Sequence, residues 1–239
     1  GPNQVTDLAC TLGLRCRTSL EGYRMELTNA IVAISSGRCG DADAVVANET
    51  WTTANATRLS GDGLSANYTF GTPTIGAPGG FYRLCWGYEP VSVQDYNVEV
   101  DPEAELAGPY ARDIECTLGL ECLLLLEGYR LSTGNRMVLV NGTCGDPQAV
   151  VANRTWTTAN ATSLATEGLS ANYTFGTPTV GVAGSFYRLC WGHEPVSIED
   201  FNVEVDASTD LAGEASGGAR TRMARKSAFL AKMGWVSRI

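Results

Sequence analysis

Apolar and polar residues follow the period of β-strands over most of the chain. Apolar and acidic residues alternate at 98–101, and 30–34 is an unbroken apolar run rich in β-branched residues. Glycine, proline and asparagine interrupt such segments about every 8 to 12 residues, and no sustained helical periodicity precedes residue 213. Short strands at this spacing predict an all-β protein folded as a Greek-key sandwich.

A long internal repeat divides the chain into two similar halves. The string CTLGLRC at 10–16 returns as CTLGLEC at 116–122, an offset of 106, and FYRLCWG at 81–87 returns at 186–192, an offset of 105. One residue is therefore missing from the second half, between positions 130 and 144. We expect this deletion to fall in a turn.

The repeat also predicts the domain boundaries. We expect two disulfide-stapled sandwich domains at 5–101 and 112–206, joined by a linker at 102–111 and followed by a Gly/Ser linker with a basic amphipathic tail at 207–239. Apolar residues of the tail recur at helical spacing, which predicts a short basic C-terminal helix; the alternative is a flexible basic terminus.

The order Cys39, Trp51, Cys85 resembles the Cys…Trp…Cys order of immunoglobulin domains, and the string YRLCW at 82–86 resembles the strand that carries their second cysteine. In immunoglobulin domains the corner tyrosine stands two residues before that cysteine, whereas here Arg83 holds this position. The resemblance implies two tandem immunoglobulin-like (Ig-like) sandwiches.

Repeats with a YRLCW-type strand also resemble modules of very large surface proteins of algae and flagellates, including flagellar-hair (mastigoneme) proteins. This resemblance covers residues 5–206. It implies a structural role in a filament or on a cell surface.

The cysteines occur as four per repeat at matched positions: Cys10, Cys16, Cys39 and Cys85, then Cys116, Cys122, Cys144 and Cys190. Matched sets of four predict two disulfides within each repeat and an oxidising compartment. Three connectivities are possible. We favour pairing the first two and the last two cysteines of each repeat, because the short pair can close around a glycine turn and the long pair can link two sheets. Zinc is the alternative, but the spacing is not C-x2-4-C and no histidine repeats.

Seven N-x-T sequons also indicate a secreted glycoprotein, at Asn48, Asn55, Asn67, Asn141, Asn153, Asn160 and Asn172. The alternative is that these are ordinary turn and strand-edge residues. Formal net charge is −9, of which residues 214–239 contribute +5 and the remainder therefore −14. An acidic body does not neutralise phosphates, so no nucleic-acid partner is expected. No apolar run approaches the roughly 20 residues needed to span a bilayer.

Few residues suggest catalysis, and we predict a non-enzyme with no catalytic residue, no metal and no cofactor. The one histidine, His193, has Tyr88 as its counterpart in repeat 1, and no nucleophile-elbow, P-loop or metalloprotease motif occurs. The recurring aromatic residues predict core packing rather than a sugar-stacking platform; they are Trp51, Trp86, Tyr68 and Phe70 with their counterparts Trp156, Trp191, Tyr173 and Phe175.

Polar residues alternate with apolar ones near the end of each repeat, at Asp95, Asn97, Glu99 and Asp101 and again at Asp200, Asn202, Glu204 and Asp206. A period of two predicts that each set lies on one strand face. Calcium binding is one interpretation. We favour a solvated strand face, because side chains about 6 to 7 Å apart along a strand do not share one ion without other ligands.

The two repeats differ most where the second is more apolar. The string CRTSL at 16–20 becomes CLLLL at 122–126. If Thr18 and Leu20 face inward, the residues that replace Arg17 and Ser19 are exposed leucines, which imply a binding partner. The expected partner-binding residues are Leu123 and Leu125 with the tail residues Arg222, Arg225, Lys226, Phe229, Leu230, Met233 and Trp235.

We therefore predict an extracellular or cell-surface structural subunit, which docks on other protein subunits of a larger assembly through its second domain and its basic tail. The tail is also a candidate for peripheral contact with an anionic membrane surface. One alternative is an accessory subunit on the lumenal side of an algal thylakoid photosystem complex. The other is a calcium- or carbohydrate-binding module.

Overall fold

The computed structural model describes residues 1–3, 8–47, 53–152 and 158–213, without the side chains of 185 and 186. In these residues repeat 1 forms eight strands: β1 (Ala9–Thr11), β2 (Cys16–Glu21), β3 (Ala30–Ser36), β4 (Val45–Val46), β5 (Ala54–Leu59), β6 (Ser65–Gly71), β7 (Gly79–Gly87) and β8 (Val98–Pro109). The described part of repeat 2 forms another eight: β9 (Glu115–Thr117), β10 (Leu123–Tyr129), β11 (Arg136–Asn141), β12 (Val150–Val151), β13 (Ala159–Leu164), β14 (Ser170–Thr174), β15 (Gly184–Gly192) and β16 (Val203–Ala212). The helical segments in these ranges are short 3-10 turns at Val93–Asp95, Thr166–Gly168 and Ile198–Asp200.

Each repeat folds into two facing sheets, which are connected by a short pairing of β3 with β5 in repeat 1 and of β11 with β13 in repeat 2. In repeat 1, β2, β6 and β5 pair antiparallel in one sheet, whereas β8, β7, β3 and β4 pair in the other and β1 lies parallel to β8. Repeat 2 pairs its strands in the same way. This grouping is that of an immunoglobulin sandwich. The predicted all-β, Ig-like fold is confirmed, and the predicted C-terminal helix lies outside the described residues.

The inner faces of the two sheets form the core. Strand β7 contributes Tyr82, Leu84 and Trp86, which alternate as a period of two requires. The indole N–H of Trp86 donates to the hydroxyl of Tyr68 at 3.3 Å. All the predicted core aromatics in the described residues are buried; Trp51 and Trp156 lie outside them.

The position of Tyr82 explains why the cysteine of the YRLCW string lies three residues after the tyrosine, rather than two as in immunoglobulin domains. The hydroxyl of Tyr82 donates to the carbonyl of Ala77 at 2.9 Å and accepts from the N–H of the same residue at 3.0 Å. This is the tyrosine corner of an Ig-like fold. The interior position two residues later holds Leu84, which is fully buried. Cys85 comes one residue after it and therefore faces the opposite side of the sheet.

The four predicted disulfides are present: Cys10–Cys16, Cys39–Cys85, Cys116–Cys122 and Cys144–Cys190. However, the expectation that the long pair links two sheets is wrong. Cys85 packs with Val32, Ile34 and Tyr96 in a small cluster separate from the main core. The bond to Cys39 therefore ties the turn after β3 to the outer face of the same sheet.

The last strand of each repeat runs further than predicted. The expected linker at 102–111 falls largely within β8, and β16 continues beyond residue 206 into the region assigned to the tail linker. Identity between the repeats ends near these boundaries, but the alternation of buried residues continues, with Ala104 and Leu106 inside in repeat 1 and Thr209 and Leu211 inside in repeat 2. Burial pattern, not repeat identity, therefore marks the strand ends.

Candidate interaction surfaces

Strand β10 places two leucines on its outer face. Leu123 is 69% exposed and Leu125 is 45% exposed, whereas Leu124 and Leu126 between them are buried. The predicted alternation is therefore confirmed, and we call Leu123 and Leu125 the leucine patch. Their use in partner binding stays a prediction.

Polar residues of β14 lie directly beside the leucine patch. Leu123 pairs in register with Thr174, and Leu125 with Asn172. Side chains in such pairs stand about 5 Å apart on the same face. Since Asn172 belongs to a sequon, the predicted glycan and the predicted partner would occupy neighbouring parts of one surface.

The backbone edge of β10 is partly covered by the chain that joins the repeats. The guanidinium of Arg112 donates to the carbonyl of Leu125 at 2.6 Å, and the N–H of Tyr110 donates to the carbonyl of Glu127 at 2.9 Å. These bonds satisfy two carbonyl groups that a further strand would otherwise bind. A partner at the leucine patch therefore meets side chains rather than an open strand edge.

Repeat 1 presents different chemistry at the same place. A shallow depression on its β2, β6 and β5 sheet is lined by Arg15, Arg17 and Arg58, with hydroxyl and amide groups but no carboxylate among its described lining residues. The matched positions in repeat 2 are Glu121, Leu123 and Ser163. One sandwich thus carries a cationic face where the other carries the leucine patch, so neither chemistry is required for the fold.

The predicted polar row does not form one strand face. Asp95 belongs to the 3-10 turn and accepts hydrogen bonds from the N–H groups of Val91 and Ser92. These bonds lower the pKa of Asp95. Glu99 forms an ion pair with Arg83. Asp101 is turned inward and is 2% exposed, because a register shift in β8 breaks the period of two.

The polar row of repeat 2 does not form one strand face either; it comprises Asp200, Asn202, Glu204 and Asp206. Asp200 caps its own turn, Glu204 pairs with Arg188 and Asp206 is buried. The calcium interpretation therefore loses its ligand set. Elsewhere among the described residues, no group of three or more His, Cys, Asp or Glu side chains is arranged to hold a metal ion.

The buried carboxylates of Asp101 and Asp206 have a structural role that the sequence pattern did not reveal. Asp101 accepts hydrogen bonds from the N–H groups of Leu8 at 2.7 Å and Glu103 at 3.0 Å. Asp206 accepts from Ile114 and Ser208, both at 2.9 Å. Each carboxylate fastens the start of its repeat to the last strand. In the sequence, the only indication of this role is that both aspartates end the repeated string NVEVD.

His193 is half-buried at the end of β15, with its ring centroid 6.3 Å from that of Trp191. The described sequon asparagines are all exposed and so accessible to glycosylation; they are Asn55, Asn67, Asn141, Asn160 and Asn172. Asn48 and Asn153 lie outside the described residues, as do all the tail residues predicted to bind a partner. No helix in the described ranges has the length and apolarity to span a membrane.

The two repeats meet through strand pairing and a small polar cluster. Gly108 and Pro109 of β8 pair with Tyr129 and Gly128 of β10. The carboxylate of Glu105 accepts a hydrogen bond from the hydroxyl of Tyr129 at 2.6 Å. It also pairs with the guanidinium of Arg130 at 2.7 Å.

The same cluster has an electrostatic consequence. The hydrogen bond to Glu105, followed by burial, raises the pKa of Tyr129. The guanidinium of Arg130 stacks over the ring of Tyr129, 5.6 Å from its centroid. Across the junction, the amide of Asn202 donates to the carbonyl of Gly13 at 3.0 Å. The Glu105 cluster and the bond from Asn202 to Gly13 both hold repeat 2 to repeat 1.

No protein-family model matches the chain, and no curated protein does either. Solved structures are similar to it, and these include the following two. The polymeric Ig receptor ectodomain of a teleost fish is 10% identical, with 88% of this chain and 98% of that chain covered and a TM-score of 0.26. Rst D1-D2 is also 10% identical, with 89% and 96% covered and a TM-score of 0.28. At such scores neither likeness says anything about function.

Proposed function

We propose that this protein is a non-enzymatic interaction module, which joins a larger extracellular assembly through the leucine patch of repeat 2 and through its basic tail. The observation that carries the proposal is the exposure of Leu123 and Leu125 at positions where repeat 1 has Arg17 and Ser19. Repeat 1 forms the same sandwich without leucines there, so stability of the fold does not require them.

Burial of the leucine patch by a partner would contribute substantially to the free energy of association. Full burial of two leucine side chains contributes roughly 3 to 6 kcal/mol before the costs of association are subtracted. This is too little for a stable complex by itself. The tail, with six basic residues and one acidic residue at 214–239, supplies attraction to an acidic surface that should weaken as salt rises.

The setting that we propose is a cell surface or an extracellular filament. The disulfides of both repeats suit an oxidising compartment, and the resemblance of the YRLCW strand to mastigoneme-type modules favours a surface protein. The thylakoid lumen is the alternative, since it also permits disulfides. Intact mass before and after enzymatic deglycosylation separates the two, because occupied N-x-T sites favour the secretory route.

The experiment that tests the function replaces the leucine patch with the chemistry of repeat 1. Tagged full-length chain carrying Leu123→Arg and Leu125→Ser is expressed in the cells of origin, and the share recovered with the washed surface fraction is measured. We expect less recovery than for the unaltered chain. Equal recovery, with the fold shown intact by circular dichroism, would contradict the proposal.

A further inference from the structure

The junction between the repeats uses three residues of repeat 2 in sequence. Gly128 pairs with Pro109, the hydroxyl of Tyr129 donates to Glu105, and the guanidinium of Arg130 pairs with the same carboxylate. Arg130 has a positive φ of 51°, and its guanidinium lies over the ring of Tyr129. Backbone pairing and one carboxylate thus hold the two repeats together.

Repeat 1 carries the same three residues, and the described part of repeat 2 does not pair with them. Gly22, Tyr23 and Arg24 match them at the offset of 106. Arg24 has a φ of 53° and lies 5.4 Å from the centroid of the Tyr23 ring. Tyr23 is 64% exposed, and no described carboxylate bonds to it or to Arg24. We call these three residues the upstream face.

The first residues of the chain lie on this face along the same path as the link between the repeats. Pro2 forms a bridge with Gly22, as Pro109 does with Gly128. The N–H of Asn3 donates to the carbonyl of Glu21 at 2.7 Å, matching the bond of 2.9 Å from Tyr110 to Glu127. Gly-Pro at 1–2 repeats Gly-Pro at 108–109.

Both glycines are needed for this approach. A Cβ atom at Gly22 would collide with the carbonyl oxygen of Gly1, and one at Gly128 would collide with that of Gly108. The backbone pairing is therefore matched at the level of single atoms. Within the described residues, no repeat packs on the upstream face to place a carboxylate there as Glu105 is placed at the junction.

We infer that the upstream face binds the end of the last strand of another repeat of this kind, supplied through the same backbone as Gly1–Asn3 and carrying a carboxylate opposite Tyr23 and Arg24. A tandem repeat fits better than a separate copy of the chain, because Pro2 already pairs with Gly22 and a separate strand would have to displace it. Repeat 2 retains the complementary group, since Asp210 stands at the position of Glu105 and is exposed.

This inference does not depend on the leucine patch, which lies on a different part of a different repeat. Its test joins a further copy of residues 8–107 ahead of Gly1 of the full chain, so that the string Leu-Ala-Gly-Pro is formed again. The added copy carries Tyr23→Phe, so that its peptide differs in mass from the peptide that holds Tyr23 of the original chain. Tyr23 of the original chain is then followed by hydroxyl-radical footprinting and mass spectrometry. Tyr129 in the same chain serves as the internal reference for a docked tyrosine.

We expect Tyr23 to lose its excess reactivity over Tyr129 when the extra repeat is present. Glu105→Ala in the added copy should restore that reactivity, whereas Arg130→Ala should affect Tyr129 alone. Unchanged reactivity of Tyr23, with the added disulfides formed, would overturn the inference. So would equal protection of Tyr23 on mixing separate unextended chains, which would assign the surface to a second copy.

A second extended chain guards against failure of the first to fold. It carries residues 114–212 with Tyr129→Phe ahead of Gly1, so that Asp210 supplies the carboxylate and Tyr129 of the original chain stays the reference. Intact mass before and after reduction shows whether the added repeat has formed its two disulfides. The same loss of Tyr23 reactivity is expected, with Asp210→Ala in the added copy as the matched control.

Discussion

The backbone N–H of Ile114 donates a hydrogen bond of 2.9 Å to the carboxylate of Asp206, which lies 92 residues further along the chain and is 5% exposed. The same arrangement joins Leu8 to Asp101 in repeat 1. In both repeats a buried carboxylate therefore fixes the first segment beside the last strand. This contact closes the sheet that also carries the Cys85 or Cys190 disulfide.

Removing this carboxylate should destabilise its own repeat. Asp206→Ala leaves the N–H of Ile114 buried without an acceptor, at a cost of about 1 to 3 kcal/mol. Asp206→Asn keeps one acceptor oxygen and should lose less. Chemical denaturation of the full chain measures the effect, with the exposed Asp113→Ala as the control. Equal stability of Asp206→Ala and the unaltered chain would show that the bond contributes nothing.

The burial of Asp206 could not be predicted from a period of two along the strand. A period of two placed it on the same face as Glu204, but a register shift in β16 turns the two side chains to opposite faces. The residues around this bulge do not predict it. The expectation that the Cys39–Cys85 bond links two sheets fails for a related reason, since only the tyrosine corner at Tyr82 shows which residues of β7 face inward.

The leucine patch, by contrast, could be predicted from the sequence alone. Strand β10 has no bulge between Leu123 and Leu126, so alternation holds throughout. Alternation alone does not say which of the two strand faces is exposed. The matched residues of repeat 1, Arg17 and Ser19, are polar and therefore indicate the face that is in contact with solvent. The docking role of Tyr129 and Arg130 was missed, since Tyr-Arg occurs in both repeats and only the geometry of the junction shows what it binds.

The two kinds of disulfide should differ in their contribution to stability. Replacing Cys39 and Cys85 by alanine opens a loop with a sequence separation of 46, and the chain-entropy model gives a loss on the order of 4 kcal/mol. The separation of 6 between Cys10 and Cys16 gives about 2 kcal/mol in the same model. Denaturant titration of the two double variants should rank them in this order, and the reverse order would contradict it.

Stability should fall in acid partly through the turns before the last strands. Hydrogen bonds from the N–H groups of Ser197 and Val196 lower the pKa of Asp200. A depressed pKa in the folded state means that this stabilisation is present above the ordinary value of 3.8 and is lost as the pH falls below it.

The Asp200→Asn variant should therefore melt at a lower temperature than the unaltered chain near neutral pH. The gap should narrow as the pH falls below 3.8. Melting curves recorded by circular dichroism from neutral to strongly acidic pH provide the check, with Asp113→Asn as the exposed control. A gap that stays constant across this range would rule out the carboxylate as its source.

The tail should contribute through charge rather than through either sandwich. Deleting residues 214–239 removes a net +5, so we expect weaker retention in the surface fraction at low salt and little difference at high salt, where exposed charges are screened. The unfolding transition of the remaining chain should not move. A loss of retention that is the same at every salt concentration would point to apolar contacts of the tail instead.

The most direct test of the central claim exchanges the outer faces of β2 and β10 within the full chain. One variant carries Leu123→Arg and Leu125→Ser, another carries Arg17→Leu and Ser19→Leu, and a third combines both exchanges. The measured quantity is the share of each tagged chain that stays with the washed surface fraction of the cells of origin. If the leucine patch of repeat 2 is the docking surface, the first and third variants lose retention and the second keeps it. Retention that is equal in all three, with unchanged melting curves, would contradict the account.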